Sequence, residues 1–186
     1  MNLLIFGPPG AGKGTQAALI SKRYKLTHLS SGDILRAELK TGELGAKIKT
    51  YQNAGKLVPD VLIIAIMEKA IIKNIKKGGV IFDGYPRTIK QAKTLDKFFK
   101  AKKINLDAVI NLNLNETEAV KRALSRGQTS GRSDDNIKTI KTRLTVYNTQ
   151  TTPLLKYYKN QKKVINIDGQ PAIATVFKTI SQCLDK

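Results

Sequence analysis

A glycine-rich loop near the start of the chain, within the run MNLLIFGPPGAGKGT, most strongly constrains its fold. The preceding residues 3–6 are apolar, as in a short buried strand, and the residues after the loop have a helical pattern. Glycines at positions such as Gly7 and Gly12 let backbone N–H groups turn inward around phosphate oxygens. The start of the helix near Lys13 adds a positive end, and Lys13 adds a mobile charge. The segment therefore predicts a phosphate-binding loop between a strand and a helix.

One position departs from the usual loop pattern G-x-x-x-x-G-K-[ST]. The residue after Lys13 commonly carries a hydroxyl that holds Mg²⁺, but here it is Gly14, and Thr15 comes one step late. The sequence thus raises the question of whether this chain holds a metal in another way.

Apolar runs alternate with helical patterns along the whole chain of 186 residues. The predicted strands are residues 3–6, 27–29, 80–82, 108–112 and 164–167. The predicted helices are residues 15–24, 31–40, 44–54, 59–77, 88–100, 116–125, 134–158 and 173–184, with a loop over 126–133. Pro153 is expected to bend the helix over 134–158. Such alternation predicts an α/β fold of one domain, in which a parallel five-stranded sheet is covered by helices on both faces.

Ligands of such sheets bind at the carboxyl ends of the strands. Asp83 closes the third predicted strand and could hold Mg²⁺ directly or through water, although it could also simply cap the next helix. Arg87 follows near the same edge, and Asp168 closes the last strand. His28, the only histidine, is expected to pack structurally, away from the path of transfer.

Four arginines surround the loop predicted after residue 125: Arg122, Arg126, Arg132 and Arg143. Phosphoryl transfer needs positioning, positive charge and exclusion of water more than covalent help from the protein. A mobile loop that carries guanidinium groups supplies charge and closure together. The cluster therefore predicts a clamp for phosphates.

The composition limits the partners without choosing among them. The formal net charge of +19 favours anionic partners, and the lysines of residues 69–103 recur at the spacing of a solvated helix face. No apolar run approaches the roughly 20 residues of a membrane span. The single cysteine, Cys183, excludes an internal disulfide. A basic protein that binds nucleic acid and uses ATP as a switch stays open as an alternative from charge alone.

Six segments together resemble the nucleoside monophosphate kinases, and most closely the adenylate kinase branch of that family. They are GPPGAGKGTQ, HLSSGDILR, AGKLVPD, DGYPRT followed by Gln91, RGQTSGRSDDN and the later Arg143. The resemblance implies a P-loop NTPase-type three-layer α/β/α fold over residues 1–186, with a helical NMP-binding flap over 30–59 and a short lid over 126–136. It implies the reaction ATP + AMP ⇌ 2 ADP. Ser31 stands where threonine is usual, so a UMP/CMP kinase is kept as the alternative.

The resemblance also implies roles for individual residues. ATP is expected at Gly10, Ala11, Gly12, Lys13, Gly14, Thr15, Arg122, Arg126, Gly169 and Gln170. AMP is expected at Ser31, Arg36, Lys56, Leu57, Val58, Gly84, Tyr85, Pro86, Arg87, Gln91, Arg132 and Arg143. The residues expected to act on the moving phosphoryl group are Lys13, Arg87, Arg132 and Arg143, with Asp134 and Asp135 anchoring the lid.

In the family that the chain resembles, glycine after the lysine is the rule. Mg²⁺ then stays largely on the substrate phosphates and water, with Asp83 behind the water. The short lid implies that no zinc is bound. The expected partners are ATP, AMP and ADP, without specific nucleic acid or membrane, and the expected state is a cytoplasmic monomer, because the flap and lid need free surface.

Overall fold

The central element of the chain is one parallel sheet, as the sequence predicts. The structure, a computed structural model, describes residues 1–39, 42–74, 78–130 and 136–185, so Arg132, Asp134 and Asp135 lie outside the described residues. The described strands are β1 (Asn2–Phe6), β2 (Thr27–Ser30), β3 (Val80–Asp83), β4 (Ala108–Asn113) and β5 (Val164–Asp168). Their order is β2-β3-β1-β4-β5, and every neighbouring pair is parallel. The strand that precedes the glycine loop is therefore central in the sheet.

Helices cover both faces of this sheet. They are α1 (Lys13–Tyr24), α2 (Ser31–Glu38), α3 (Gly42–Asn53), α4 (Asp60–Asn74), α5 (Ile89–Ala101), α6 (Glu116–Ser130), α7 (Ile137–Val146), α8 (Pro153–Lys159) and α9 (Ile173–Leu184). Within the described ranges, none of them combines the length and apolar character that crossing a bilayer requires.

The alternating residues of the strands build two apolar layers. Leu4 and Phe6 of β1 pack in a core with helices α4, α5 and α8, whereas Leu3 and Ile5 pack in a second core with α1 and α9. Both faces of β1 are buried, which explains why its sequence is a continuous apolar run rather than an alternating one. The three-layer α/β/α prediction is confirmed.

Most helix boundaries shift by one or two residues, and two segments differ more from the sequence prediction. The polar residues 126–130, predicted as a loop, continue α6 to Ser130, because each residue added to an existing helix gains a hydrogen bond at little cost. The helix predicted over 134–158, with a bend at Pro153, is divided just before that residue by a π-helical turn, Tyr147–Thr151, in which the Thr152 N–H donates to the Tyr147 carbonyl at 2.8 Å. Pro153 has no N–H to donate, so it begins α8 at a position where none is required.

Side-chain caps fix the helix starts nearest the carboxyl edge of the sheet. The Ser30 hydroxyl accepts from the Asp33 N–H at the start of α2, and the Thr88 hydroxyl accepts from the Gln91 N–H at the start of α5. Such caps satisfy donors that the helix leaves unpaired. They hold the first turns of α2 and α5 beside the ends of β2 and β3.

Candidate functional site

One cleft of about 700 Å³ opens at the carboxyl edge of β1, β2 and β3, within the usual size range of ligand pockets. It runs from the glycine loop past β3 to the first turn of α2, so the two predicted nucleotide regions share one space. The predicted residues that line it are Gly10, Gly12, Lys13, Gly14, Thr15, Ser31, Arg36, Lys56, Leu57, Val58, Asp83, Gly84, Pro86, Arg87, Gln91, Arg122, Arg126 and Arg143.

Two of the predicted nucleotide-binding side chains point elsewhere. Ala11 packs in the core with α1, and Tyr85 packs in the core with α4 and α5. Burial raises the pKa of the Tyr85 hydroxyl well above its usual range, as expected for a phenol held in an apolar layer. Neither residue lines the cleft, so the structure does not bring these two predicted positions into it.

The glycine loop is pressed against the start of α6. Gly10 has a φ of +87°, and a Cβ added there would lie 2.2 Å from the Ala119 carbonyl oxygen. Gly12 has a φ of +81° but faces open space. The Lys13 ammonium spans the loop and donates to the Gly7 carbonyl at 2.7 Å and to the Pro8 carbonyl at 2.8 Å. The glycines and the contact with α6 therefore fix a curved loop, and the Lys13 ammonium lies across its concave side.

The environment of Lys13 lowers the pKa of its ammonium group. Burial lowers the pKa of its ammonium to about 7; the Asp83 carboxylate opposes this change, whereas the charges of Arg87, Arg143 and Arg126 reinforce it. Lys13 and these three arginines repel one another. A bound phosphate would stabilise all four positive charges, so the cleft favours an anionic ligand.

The glycine at position 14 has a geometric explanation. A Cβ on Gly14 would lie 3.3 Å from Oδ2 of Asp83, closer than side chains normally approach. A serine or threonine there would crowd the carboxylate at the end of β3. Glycine at position 14 therefore leaves room for the Asp83 carboxylate beside the loop. The departure from the usual loop pattern has this structural reason.

Asp83 is ionised in this setting. Burial alone would raise the pKa of its carboxyl, but the neighbouring His28 and the ammonium of Lys13 outweigh burial and hold that pKa below its usual range. Among the described residues, no group of three metal-ligating side chains is present. A single carboxylate beside the predicted phosphate-binding loop fits a cation that takes most of its ligands from phosphate and water, as Mg²⁺ does.

His28 lies in the cleft, and the prediction that placed it away from the site is wrong. Its Nε2 is 3.6 Å from Oδ2 of Asp83, and it lines the cleft with Lys13. The parallel register places Ser30 opposite Asp83, so the end of β2 lies beside the end of β3. Only this register, which the sequence does not state, could have indicated the contact.

On the side of the cleft away from the glycine loop, a backbone carbonyl joins three elements. The buried Ser31 hydroxyl donates to the Gly84 carbonyl at 2.7 Å, and Nε of Arg87 donates to the same oxygen at 2.7 Å. Gly84 has a φ of +75°, and a Cβ there would lie 2.7 Å from the Ser31 hydroxyl. The Ser31 hydroxyl therefore ties α2 to the turn after β3.

The backbone of Arg87 is held from two directions. Its N–H donates to Oε1 of Gln91 at 2.7 Å, and its carbonyl accepts from the Thr151 hydroxyl at 3.1 Å. Gln91 in turn donates through Nε2 to Oδ1 of Asp60 at 2.7 Å. Sequence reasoning missed Asp60 and Thr151, because their roles come from contacts between distant segments.

The remaining arginines differ in how firmly they are held. Arg36 pairs with Asp33 in a partly exposed ion pair, and such pairs contribute little to stability, so the guanidinium is available for exchange. Arg122 donates to Glu118, to the Gly169 carbonyl at 2.8 Å and to the Gln170 carbonyl at 2.7 Å. The predicted cluster Arg122, Gly169 and Gln170 is thus brought together at the β5–α9 turn.

Comparisons with known proteins match the whole chain. The sequence model of the family described as "Adenylate kinase" matches residues 5–163. A relative named adenylate kinase from Parabacteroides distasonis is 47% identical over 186 residues, which is 100% of this chain and 98% of that protein. One from Bacteroides thetaiotaomicron is 44% identical over 100% of this chain and 99% of its own length. One from Leptospira biflexa is 45% identical over 96% of both chains. The similarity covers both ends of the cleft.

Proposed function

The chain belongs to the adenylate kinase family and catalyses the reversible transfer of a phosphoryl group from ATP to AMP, and we propose that both nucleotides bind end to end in the single cleft. The names of the relatives do not favour a UMP/CMP kinase. The observation that carries the proposal is the continuity of the cleft from Lys13 to Arg87, because a direct transfer needs both phosphate sites in one space.

ATP is proposed to occupy the glycine-loop end. The backbone of residues 10–15 and the ammonium of Lys13 would hold its phosphates, and Arg126 would add a further positive charge. The guanidinium of Arg122, fixed against the Gly169 and Gln170 carbonyls, would lie against the adenine. The curvature of the loop and the positive end of α1 support this placement.

AMP is proposed to occupy the end near α2. Arg36 and Arg87 would bind its phosphate, and Gln91 would hydrogen-bond its base. Ser31, the backbone of residues 56–58 and the turn 84–86 would shape the wall around it. The weak Arg36–Asp33 pair supports the role of Arg36, since a dianionic phosphate is a better partner than one exposed carboxylate.

The transfer itself needs charge stabilisation rather than a general base, because the attacking phosphate oxygen is already an anion. Lys13, Arg87 and Arg143 converge on the cleft and would stabilise the charge of the moving phosphoryl group. Mg²⁺ would add charge neutralisation when bound with ATP, and Asp83 would hold it through water. Arg132, Asp134 and Asp135 remain predictions for residues outside the described ranges.

Residues 30–59 are proposed as a flap over AMP, and residues 126–136 as a short lid over ATP. Closing of both would exclude water and so limit hydrolysis of ATP. We further propose a monomer in the cytoplasm that binds neither membranes nor a specific nucleic acid. The charge of +19 predicts a moderate, steeply salt-dependent association with RNA or DNA, which filter binding at physiological salt measures.

Two experiments test the proposal. A coupled assay that offers AMP, UMP, CMP and GMP separately should give the highest kcat/KM with AMP, and a higher value with UMP or CMP would overturn the acceptor assignment. A diadenosine polyphosphate that mimics both substrates should bind competitively with each nucleotide. Binding of this compound far from Lys13 and Arg87 would refute the end-to-end arrangement.

Replacing Arg36 by alanine should raise the KM for AMP about 10- to 100-fold, since one charge-assisted hydrogen bond to phosphate is lost. The KM for ATP should stay within about twofold, because Arg36 lies at the opposite end of the cleft. Steady-state kinetics with each substrate varied in turn measures both constants. Asp33→Ala is the matched control, since it removes the ion-pair partner and keeps the guanidinium. Equal weakening of ATP and AMP would contradict the assigned role.

The affinity for ATP should fall as the pH rises above about 7. In the free protein Lys13 loses its proton near that pH, whereas bound phosphates favour the charged form, so binding at higher pH must take up a proton. Titration calorimetry at about pH 8.5 in buffers of different ionisation enthalpy should report uptake of about one proton per ATP. Lys13→Arg keeps its charge at this pH and should show none. Equal uptake in both proteins would exclude Lys13 as its source.

A further inference from the structure

The amide of Gln91 is held by a partner at each of its ends. The residue is only 2% exposed, yet it lines the cleft. Its Oε1 accepts from the Arg87 N–H at 2.7 Å, and its Nε2 donates to Oδ1 of Asp60 at 2.7 Å. The amide is therefore placed at the proposed AMP base with both of its polar atoms already engaged.

These partners fix which way round the amide stands. A backbone N–H can only donate, and a carboxylate can only accept, so the oxygen of Gln91 must face Arg87 and the nitrogen must face Asp60. A reversed amide would bring two donors together at one end and two acceptors together at the other. The side chain has one stable orientation in this network.

Asp60 is itself fixed. The Thr88 hydroxyl lies 3.1 Å from both carboxylate oxygens of Asp60, and it also accepts from the Gln91 N–H as the cap of α5. Asp60 begins α4, and Thr88 and Gln91 belong to the start of α5. The orientation of the amide thus depends on a contact between two helices.

We propose that Asp60 is a positioning residue that sets base selectivity: through Gln91 it makes the acceptor site prefer bases that carry an amino group over bases that carry a carbonyl there. The inference rests on the proposed function, in which Gln91 faces the base of the acceptor nucleotide. Asp60 itself does not line the cleft, so it acts only through the Gln91 amide.

The preference follows from the pairing of donors and acceptors. In the fixed orientation, Oε1 can accept a second hydrogen bond and Nε2 has a second N–H to donate. Adenine presents an amino donor beside a ring-nitrogen acceptor, which matches this arrangement. Hypoxanthine and guanine present a carbonyl acceptor beside a ring N–H donor, which requires the reversed amide. Uracil shares the mismatch, whereas cytosine, with an amino group, does not.

The pair AMP and IMP tests this inference directly, because IMP has a carbonyl in place of the amino group on the same purine. We expect Asp60→Ala to lower the AMP-to-IMP ratio of kcat/KM about tenfold, since Nε2 loses the acceptor that fixes it and only Arg87 still orients the amide. Asp60→Asn retains an acceptor oxygen and should keep the ratio within about threefold of the wild type.

Asp96→Ala is the matched control. Asp96 accepts from Gln161 Nε2 at 3.0 Å and from the Tyr157 hydroxyl at 2.7 Å, so it holds a glutamine amide in the same way but outside the cleft. Its replacement should leave the AMP-to-IMP ratio unchanged. An equal fall of the ratio in this variant would overturn the inference, because the effect would then be one of general stability.

The remaining outcomes separate the inference from its premise. A wild-type ratio in folded Asp60→Ala would refute the role of Asp60 while leaving the kinase activity in place. If that variant fails to fold, Asp60→Ser, whose hydroxyl is too short to reach Gln91, provides the same test. Failure of the wild-type protein to phosphorylate AMP would instead refute the proposed function.

Discussion

Lys13→Met should lower kcat by about two to three orders of magnitude, the typical loss when one donor to a transition-state anion is removed. Methionine has a similar length and no branching, so it fills the same space without the charge. The ammonium lies across the glycine loop, where the phosphates of ATP are proposed to bind, and only a cation there can follow the phosphoryl group. Steady-state kinetics with saturating nucleotides measures the loss.

The fold should tolerate this change. The variant loses two hydrogen bonds, to the Gly7 and Pro8 carbonyls, each contributing about 1 kcal/mol. It also removes the cost of burying the Lys13 ammonium, which is what lowers the pKa of this group. Thermal unfolding should therefore stay near that of the wild type. The kcat of Lys13→Arg, which keeps a less mobile charge, should lie between the kcat values of the wild type and Lys13→Met. A kcat within tenfold of the wild type in Lys13→Met would show that Lys13 does not act on the moving group.

Gly10→Ala should destabilise the protein by about 2–5 kcal/mol and abolish tight binding of ATP. The new Cβ would lie 2.2 Å from the Ala119 carbonyl oxygen, so either the loop or α6 must move. Such overpacking costs about 1–3 kcal/mol, and the left-handed backbone adds about 1–2 kcal/mol for any residue with a Cβ. Urea unfolding measures the free energy, and titration with ATP measures the binding.

Gly12→Ala separates the two contributions. Gly12 has a similar φ of +81°, but a Cβ there meets nothing within 4 Å, so only the backbone strain of about 1–2 kcal/mol applies. The difference between the two variants is therefore the cost of the clash with α6. Equal destabilisation in both would mean that the loop is not held against α6 in solution.

The sequence predicts the sheet well because its three inner strands, β1, β3 and β4, are buried on both faces. A continuous apolar run that ends in a glycine loop or an aspartate has few alternatives to a parallel strand, and all five predicted strands are confirmed. The glycine loop between β1 and α1 is equally accessible to prediction, because its curvature depends on local glycine residues.

Other features depend on contacts between segments that are distant in the chain. The position of His28 follows from the pairing of β2 with β3, and the role of Asp60 follows from the packing of α4 against α5. The sequence predicts a bend at Pro153, but the π-helical form of the turn before it depends on how α7 and α8 pack. Local patterns contain none of this information, so sequence reasoning did not find these features.

The anchoring of α6 determines where the proposed lid can pivot. Arg122 is fastened to the β5–α9 turn, and Ala119 rests against the glycine loop, so the first two turns of the helix move with the sheet. The pivot of the proposed lid must then lie beyond Arg122, where α6 continues for about 12 Å to Ser130. We expect exchange of nucleotides to move this part of α6 while its first two turns stay in place against the sheet.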